Sequence, residues 1–165
     1  MGVPKEEIDA FYKAPFLTTT SRTIVVTLLE EMKGVEGLPV VVPLASKLEG
    51  AEEAVFFVAS CVLLKKYHEE HGPLKKLLAG PVMPRGAKGD GTLVLAFALD
   101  YLVWTKDIAA AATRIDSAVK GDSSAGKVEF WVTGSLSSRA KDEIAALGWA
   151  VHEKAAEKLG VQPPR

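Results

Sequence analysis

The chain has 165 residues, 48% hydrophobic and 25% charged, proportions of an ordinary globular protein that exclude a disordered or fibrous one. At about one domain in length it can bury roughly 70% of its unfolded surface, so a single core suffices. With 20 Lys+Arg against 21 Asp+Glu and a net charge of -1, no global field favours nucleic acid or an anionic membrane surface.

Lys5 to Lys13 places Ile8, Phe11 and Tyr12 on one helical face, and Pro15 follows as a stop. Residues 1–13 contain acidic side chains and no apolar core region, so they do not read as a secretory signal. Thr18 to Ser21 supplies N-cap candidates for a helix whose stripe is Ile24, Val25, Leu28, Leu29 and Met32, stopped by Gly34. Leu38 to Val42 is β-branched but flanked by Pro39 and Pro43, which predicts an extended connector rather than an edge strand.

Glu49, Glu52 and Glu53 open the next helix and Lys65, Lys66 and His68 close it, charges that match the helix macrodipole. Its middle, Ala54 to Leu64, is apolar around nearly the whole circumference, as expected of a central helix covered on most sides. The run has 11 residues against the about 20 needed for a membrane span. The lone cysteine, Cys61, lies inside it and reads as a buried small hydrophobe, with no internal disulfide and no catalytic surroundings. Gly72 and Pro73 end the helix. Pro73 then suits the first position of a short helix with Leu74, Leu77 and Leu78 inward, closed by Gly80.

From Pro81 the pattern becomes extended. Val82 and Met83 before Pro84 predict the first arm of a hairpin and a sheet edge, RGAKGDG its loop, and TLVLAFA its second arm. Asp100 then reads as N-cap of a long amphipathic helix carrying Tyr101, Trp104, Ile108, Ala111, Ile115 and Val119. Residues 121–126, GDSSAG, form a loop. Val128 to Thr133 is a strand, Gly134 and Ser135 break it, and Leu136, Ala140, Ile144 and Leu147 recur at helical spacing before Gly148. A strand from Trp149 completes a βαβ unit, with His152 at its end, solvent-facing and without a partner.

These elements predict one α/β domain over residues 1–165: an N-terminal helical layer (1–80) packed on a small, mostly parallel sheet (81–165) in the order β-β-α-β-α-β. Three strands, from Leu93, Val128 and Trp149, should be parallel, with the crossover helices on one face and the Ala54–Leu64 helix on the other.

The turn TGSLSSR is the main functional candidate. A strand ending in Gly134 and a helix beginning around Ser135 to Ser137 would leave outward-facing amides able to hold phosphate or carboxylate, with donors from Ser135, Ser137, Ser138 and Arg139. The plainer reading is a glycine turn with a serine cap and a solvated Arg139, since neither GxGxxG nor GxxxxGK[ST] is present. Asp100, Tyr101, Lys106, Thr133 and Ser135 would share a rim if their strands are neighbours. There Asp100 would be a polarising carboxylate, unless it only caps its helix. His68 and His71 are three apart, not the four of a zincin helix, and lack a third ligand, so no metal is expected. Trp104, Trp131 and Trp149 read as core or interface.

The segments FFVASCVLLKKYHEEHGPL, FALDYLVWTKDIAAAA and FWVTGSLSSRAKDEIAALGWAVHE resemble recurring blocks of a family of uncharacterised bacterial proteins, DYLVWT and the GW before the last strand being the most specific parts. The resemblance covers about the second two thirds of the chain and implies no activity, cofactor or substrate; some relatives are exported. The residues themselves point to a non-catalytic protein-interaction or assembly module, with a protein partner or self-association and no cofactor. The alternative is an enzyme taking a small anionic ligand or phosphate ester at residues 133–139, through Asp100, Thr133, Gly134, Ser135, Ser137 and Arg139. The expected compartment is the cytoplasm, or an exported location if a leader has been removed ahead of Met1.

Overall fold

Thr18 caps the first firm element. Its hydroxyl accepts from the Ser21 amide at 3.0 Å, so that one free N–H at the helix start has a partner. In the computed structural model, which describes residues 2–80, 83–121 and 126–160, this helix is α2 (Thr19–Glu31), preceded by α1 (Lys5–Lys13). Arg22 of α2 donates to the Ala14 carbonyl at 2.7 Å and the Phe11 carbonyl at 3.3 Å, tying the end of α1 to α2. Of the expected α1 face only Phe11 is buried; Ile8 and Tyr12 stay exposed.

The connector expected at Leu38 to Val42 is instead a 3-10 turn, Leu38–Val40, running into helix α3, Val41–Ser46. Pro43 is tolerated there because it falls in the first turn, where backbone N–H groups have no helical partner. Helix α4 (Ala51–Glu70) is the central helix. Phe57, Cys61, Leu64 and Tyr67 are buried among those facing α2 and the sheet, but Ala51, Val55 and Ala59 form an exposed stripe.

Residues expected as a short helix after Pro73 form strand β1, Leu74–Leu78. Its register against β2 (Arg85–Lys88) shifts between Leu74 and Lys76. An inserted residue of this kind lets Leu74 and Leu77, three apart, share one face of a strand, which imitates helical spacing. The sheet therefore begins inside the region expected to be all helical. The hairpin is also displaced: its arms are β2 and β3 (Leu93–Phe97), antiparallel, and β1 rather than the Pro84 segment is the edge. Of the arm expected at Pro81 to Met83, Pro81 and Val82 lie outside the described residues.

After β3 come β4 (Tyr101–Leu102), α5 (Lys106–Lys120), β5 (Val128–Val132), β6 (Ser135–Leu136), α6 (Ser138–Ala146), β7 (Ala150–His152) and α7 (Ala155–Lys158). The main sheet has the order β1-β2-β3-β5-β7. Its β3·β5 and β5·β7 pairs are parallel, as expected, and its β1·β2 and β2·β3 pairs antiparallel, so the sheet is mixed. Asp100 does not cap α5: the chain stays extended through β4, which pairs with β6, and Thr105 is the cap, accepting from the Ile108 amide at 3.3 Å. Of the 121–126 loop, residues 122–125 lie outside the described residues.

Alternation along the strands feeds two cores. Val94, Ala96 and Trp131 face α4 and the N-terminal helices, whereas Leu93, Leu95, Phe130 and Val132 face Ile115 of α5 and Ile144 of α6. Ser60, fully buried in the apolar run of α4, accepts from the Ala98 amide at 2.9 Å and fixes the end of β3 against the helix. No helix among the described residues is long and apolar enough to cross a membrane.

Candidate functional site

The adjacency of β3 and β5 brings Asp100, Tyr101, Thr133, Gly134 and Ser135 together at the carboxyl ends of the parallel strands. Tyr101 is the register partner of Ser135. A Cβ on Gly134 would collide with the Asp100 carbonyl, so only glycine permits this approach of the two backbones. The closeness consumes the donors expected to face outward. The Thr133 amide donates to Phe97 O at 3.2 Å, Gly134 to Leu99 O at 2.8 Å, Ser135 to Asp100 O at 3.1 Å and Ser137 to Leu102 O at 2.9 Å. Leu136 N–H donates to Glu153 Oε1 at 2.7 Å.

Two of the side chains are committed in the same way. Thr133 Oγ1 donates to Leu99 O at 2.9 Å, and Ser137 Oγ accepts from the Ala140 amide at 3.2 Å as the cap of α6. Arg139 is 74% exposed and lies 3.6 Å from Glu143 on the same helix. The Asp100 carboxylate is exposed, as is Lys106 in the first turn of α5. The amides of residues 133–137 are thus engaged, four by backbone carbonyls of residues 97–102 and one by Glu153.

Beside this rim lies an open cleft of about 770 Å3 between the first turns of α4 and the end of β3. Val55, Phe56, Ala98 and Leu99 line it, and Glu52, Glu53 and Asp100 border it. Val55 is 69% exposed, and further along the chain Tyr101 and Val103 are 59% and 53% exposed. The border is acidic and the floor apolar, a combination that repels small anions and suits an apolar, basic partner surface.

At the other end of α4 is a polar cluster that single-residue reading missed. Glu129 Oε2 accepts from the Tyr67 hydroxyl at 2.8 Å and from Trp131 Nε1 at 3.1 Å, while Lys88 Nζ lies 3.7 Å from Oε1. His152 is half-buried and stacked on the Trp131 ring, with centroids 4.0 Å apart and planes at 11°. His71 meets the same ring edge-on at 4.7 Å. The expectation of a solvent-facing, partnerless His152 fails because β7 pairs with β5 and sets His152 opposite Trp131.

Burial works to raise the Glu129 carboxyl, but the Trp131 and Tyr67 hydrogen bonds, with Lys88 and His152, outweigh it and hold it below its ordinary value. Burial, and then the Glu129 bond, push the Tyr67 hydroxyl up. Burial, reinforced by Lys158 and His71 and opposed by Glu129, holds His152 below its ordinary value. The available signal was the period-two spacing of Glu129 and Trp131, which puts a carboxylate and an indole N–H on one face of a buried strand.

His68, the other histidine of the HEEH run, accepts the Leu74 amide at 2.9 Å through Nδ1 and so joins α4 to β1. No group of three or more His, Cys, Asp or Glu among the described residues is placed to hold a metal ion. Burial pushes the Cys61 thiol far up, which leaves it inert as a nucleophile. No family model, curated protein or solved structure matches the chain.

Proposed function

We propose that the chain is a non-catalytic protein-interaction module that docks a protein partner on the strand-end cleft and the exposed stripe of α4. The observation that carries this reading is Val55, which sits in the apolar run of the central helix α4 yet is 69% exposed. Ala51 and Ala59 extend it by one turn each way, and Phe56 and Leu99 provide the floor. A helical stripe of small and β-branched residues with an aromatic floor is the form of surface that accepts apolar anchors from another chain. Glu52 and Asp100 at its border call for a lysine or arginine on the partner, which adds specificity and encounter rate. The cytoplasm is the compartment proposed for it, where a lone buried thiol stays reduced; it is an exported module if a leader precedes Met1.

A photoreactive side chain placed at Val55 or Tyr101 in the native host tests the proposal. One protein should crosslink from both positions and not from Arg114, which is exposed on α5, and its crosslinked segment should carry apolar residues beside a basic one. Val55→Glu should abolish the product with the fold intact. A crosslink between two copies, matched by a dimeric mass in solution, would identify the partner as the chain itself. Equal labelling from all three positions, or a Val55→Glu protein that crosslinks like the parent, would refute the reading.

A further inference from the structure

Helices α5 and α6 cover β3, β5 and β7, and the face of β1 and β2 on that side of the sheet is left open. It forms a groove of about 550 Å3 walled by Ala118 and Val119 of α5, within the range of about 300–1,000 Å3 typical of small-molecule sites. The register places Leu78 opposite Arg85, Lys76 opposite Ala87 and Ala87 opposite Leu93, so apolar Leu78, Ala87 and Leu93 share this face with Lys76 and Arg85, and Leu78 and Leu93 join it to the second core.

Its charge is unbalanced. Lys75, Lys76, Arg85 and Lys88 line the groove against Glu36 and Asp90. Lys88 is engaged by Glu129, and Asp90 Oδ1 accepts the Thr92 amide at 2.9 Å. Lys75, Lys76 and Arg85 join no ion pair among the described residues. Arg85 is the least expected of these on a plain surface. One terminal nitrogen donates to the Ala79 carbonyl at 2.9 Å, but its Nε is buried with no partner among the described residues. Arg85 thus brings to the groove a guanidinium with no ion-pair partner among the described residues, a group whose fork suits an oxyanion acceptor. Burial, with no facing carboxylate to offset it, also lowers the affinity of Arg85 for its proton.

We propose that this groove binds a small organic anion, an apolar ring or chain bearing a phosphate or carboxylate. The apolar part rests on Leu78, Ala87 and Val119, and the anionic group sits between Arg85, Lys75 and Lys76. The site is separate from the α4 cleft and does not depend on the interaction reading.

Amide-resolved NMR titration of the full chain with phenyl phosphate and with benzoate tests it. Either or both anions should shift the Leu78, Ala87 and Val119 amides saturably, and the stronger of the two names the anionic group. Inorganic phosphate, which lacks the ring, and benzyl alcohol, which lacks the charge, should bind about tenfold or more weakly, a difference of about 1.4 kcal/mol per tenfold. Arg85→Met should weaken binding by about tenfold or more and Arg85→Lys by less, because a lysine keeps the charge and loses the fork. If Arg85→Met disturbs the spectrum at large, the double variant Lys75→Met with Lys76→Met, both exposed, carries the test with the same expected loss. No saturable shift of those amides by either anion up to about 10 mM, benzyl alcohol binding as well as the anions, or unchanged affinity in the double variant would overturn the proposal.

Discussion

Replacing Glu129 by alanine should destabilise the protein far more than removal of a carboxylate at the end of a strand ordinarily does. The side chain is 18% exposed and is the acceptor for two donors on residues that are essentially buried, Tyr67 and Trp131. A buried donor stripped of its acceptor costs about 1–3 kcal/mol. Water entering through the exposed part of the site relieves some of that, and loss of the 3.7 Å contact with Lys88 adds at most about 1 kcal/mol. The expected loss is about 2–4 kcal/mol, which for a chain of this length lowers the melting temperature by roughly 5–15 °C. Tyr67→Phe should cost less, because Glu129 keeps Trp131 and Lys88, and the double variant should fall short of the sum by about 0.5 kcal/mol or more. The Glu129 carboxyl is held below its ordinary 4.5 in the fold, so its contribution is complete above that pH and is lost as acid titrates it. Parent and Glu129→Ala curves should therefore converge at low pH. Urea denaturation at neutral pH decides the matter: a change of under about 0.5 kcal/mol, the range of an unremarkable surface site, would refute the bridging role.

Three further outcomes are expected. His152 is held below its ordinary 6.5 in the fold, so the unfolded chain takes up its proton first; stability is full above that pH and declines as the pH falls through 6.5 toward the depressed folded value. His152→Phe, which keeps the stack on Trp131 and removes the proton site, should flatten the urea midpoint across that interval, and an unchanged slope would count against it. Gly134→Ala must displace the Asp100 carbonyl and should cost about 1–3 kcal/mol in thermal unfolding, whereas a turn held only by backbone freedom would lose less than about 1 kcal/mol. Thr105→Ala should cost about 1 kcal/mol as a lost cap and Asp100→Ala close to nothing; the reverse order in denaturation would restore Asp100 as the cap.

Much of the fold was legible where period and stop signals agree. The Lys5–Lys13 and Thr19–Glu31 helices, the long apolar α4 and the β5–α6–β7 unit all follow from spacing that one element type satisfies and the other does not. Errors gathered where a local irregularity shifts that spacing. The bulge in β1 gives Leu74 and Leu77 a helical interval, and Pro43 hides in a first turn where its missing N–H costs nothing. Asp100 looked like a cap because its residue type suits one; the actual boundary depended on a long-range pairing of β4 with β6, which no local pattern encodes. The same pairing engages the Ser135 and Ser137 amides of the expected anion turn. The Glu129 cluster joins α4, β2, β5 and β7, and such convergence from distant segments is a property of topology rather than of any single stretch.

Two hydroxyls of α4 tie it to the sheet at separate heights: that of Ser60 takes the Ala98 amide, and that of Tyr67 reaches Glu129. Seven residues apart, they are about 10 Å distant along the axis, enough to resist both axial slip and rotation of the helix. A visiting chain at Val55 would meet a presenting surface whose orientation is already set, so little ordering cost opposes the encounter, and any variant that releases one anchor should slow capture at a site it does not touch.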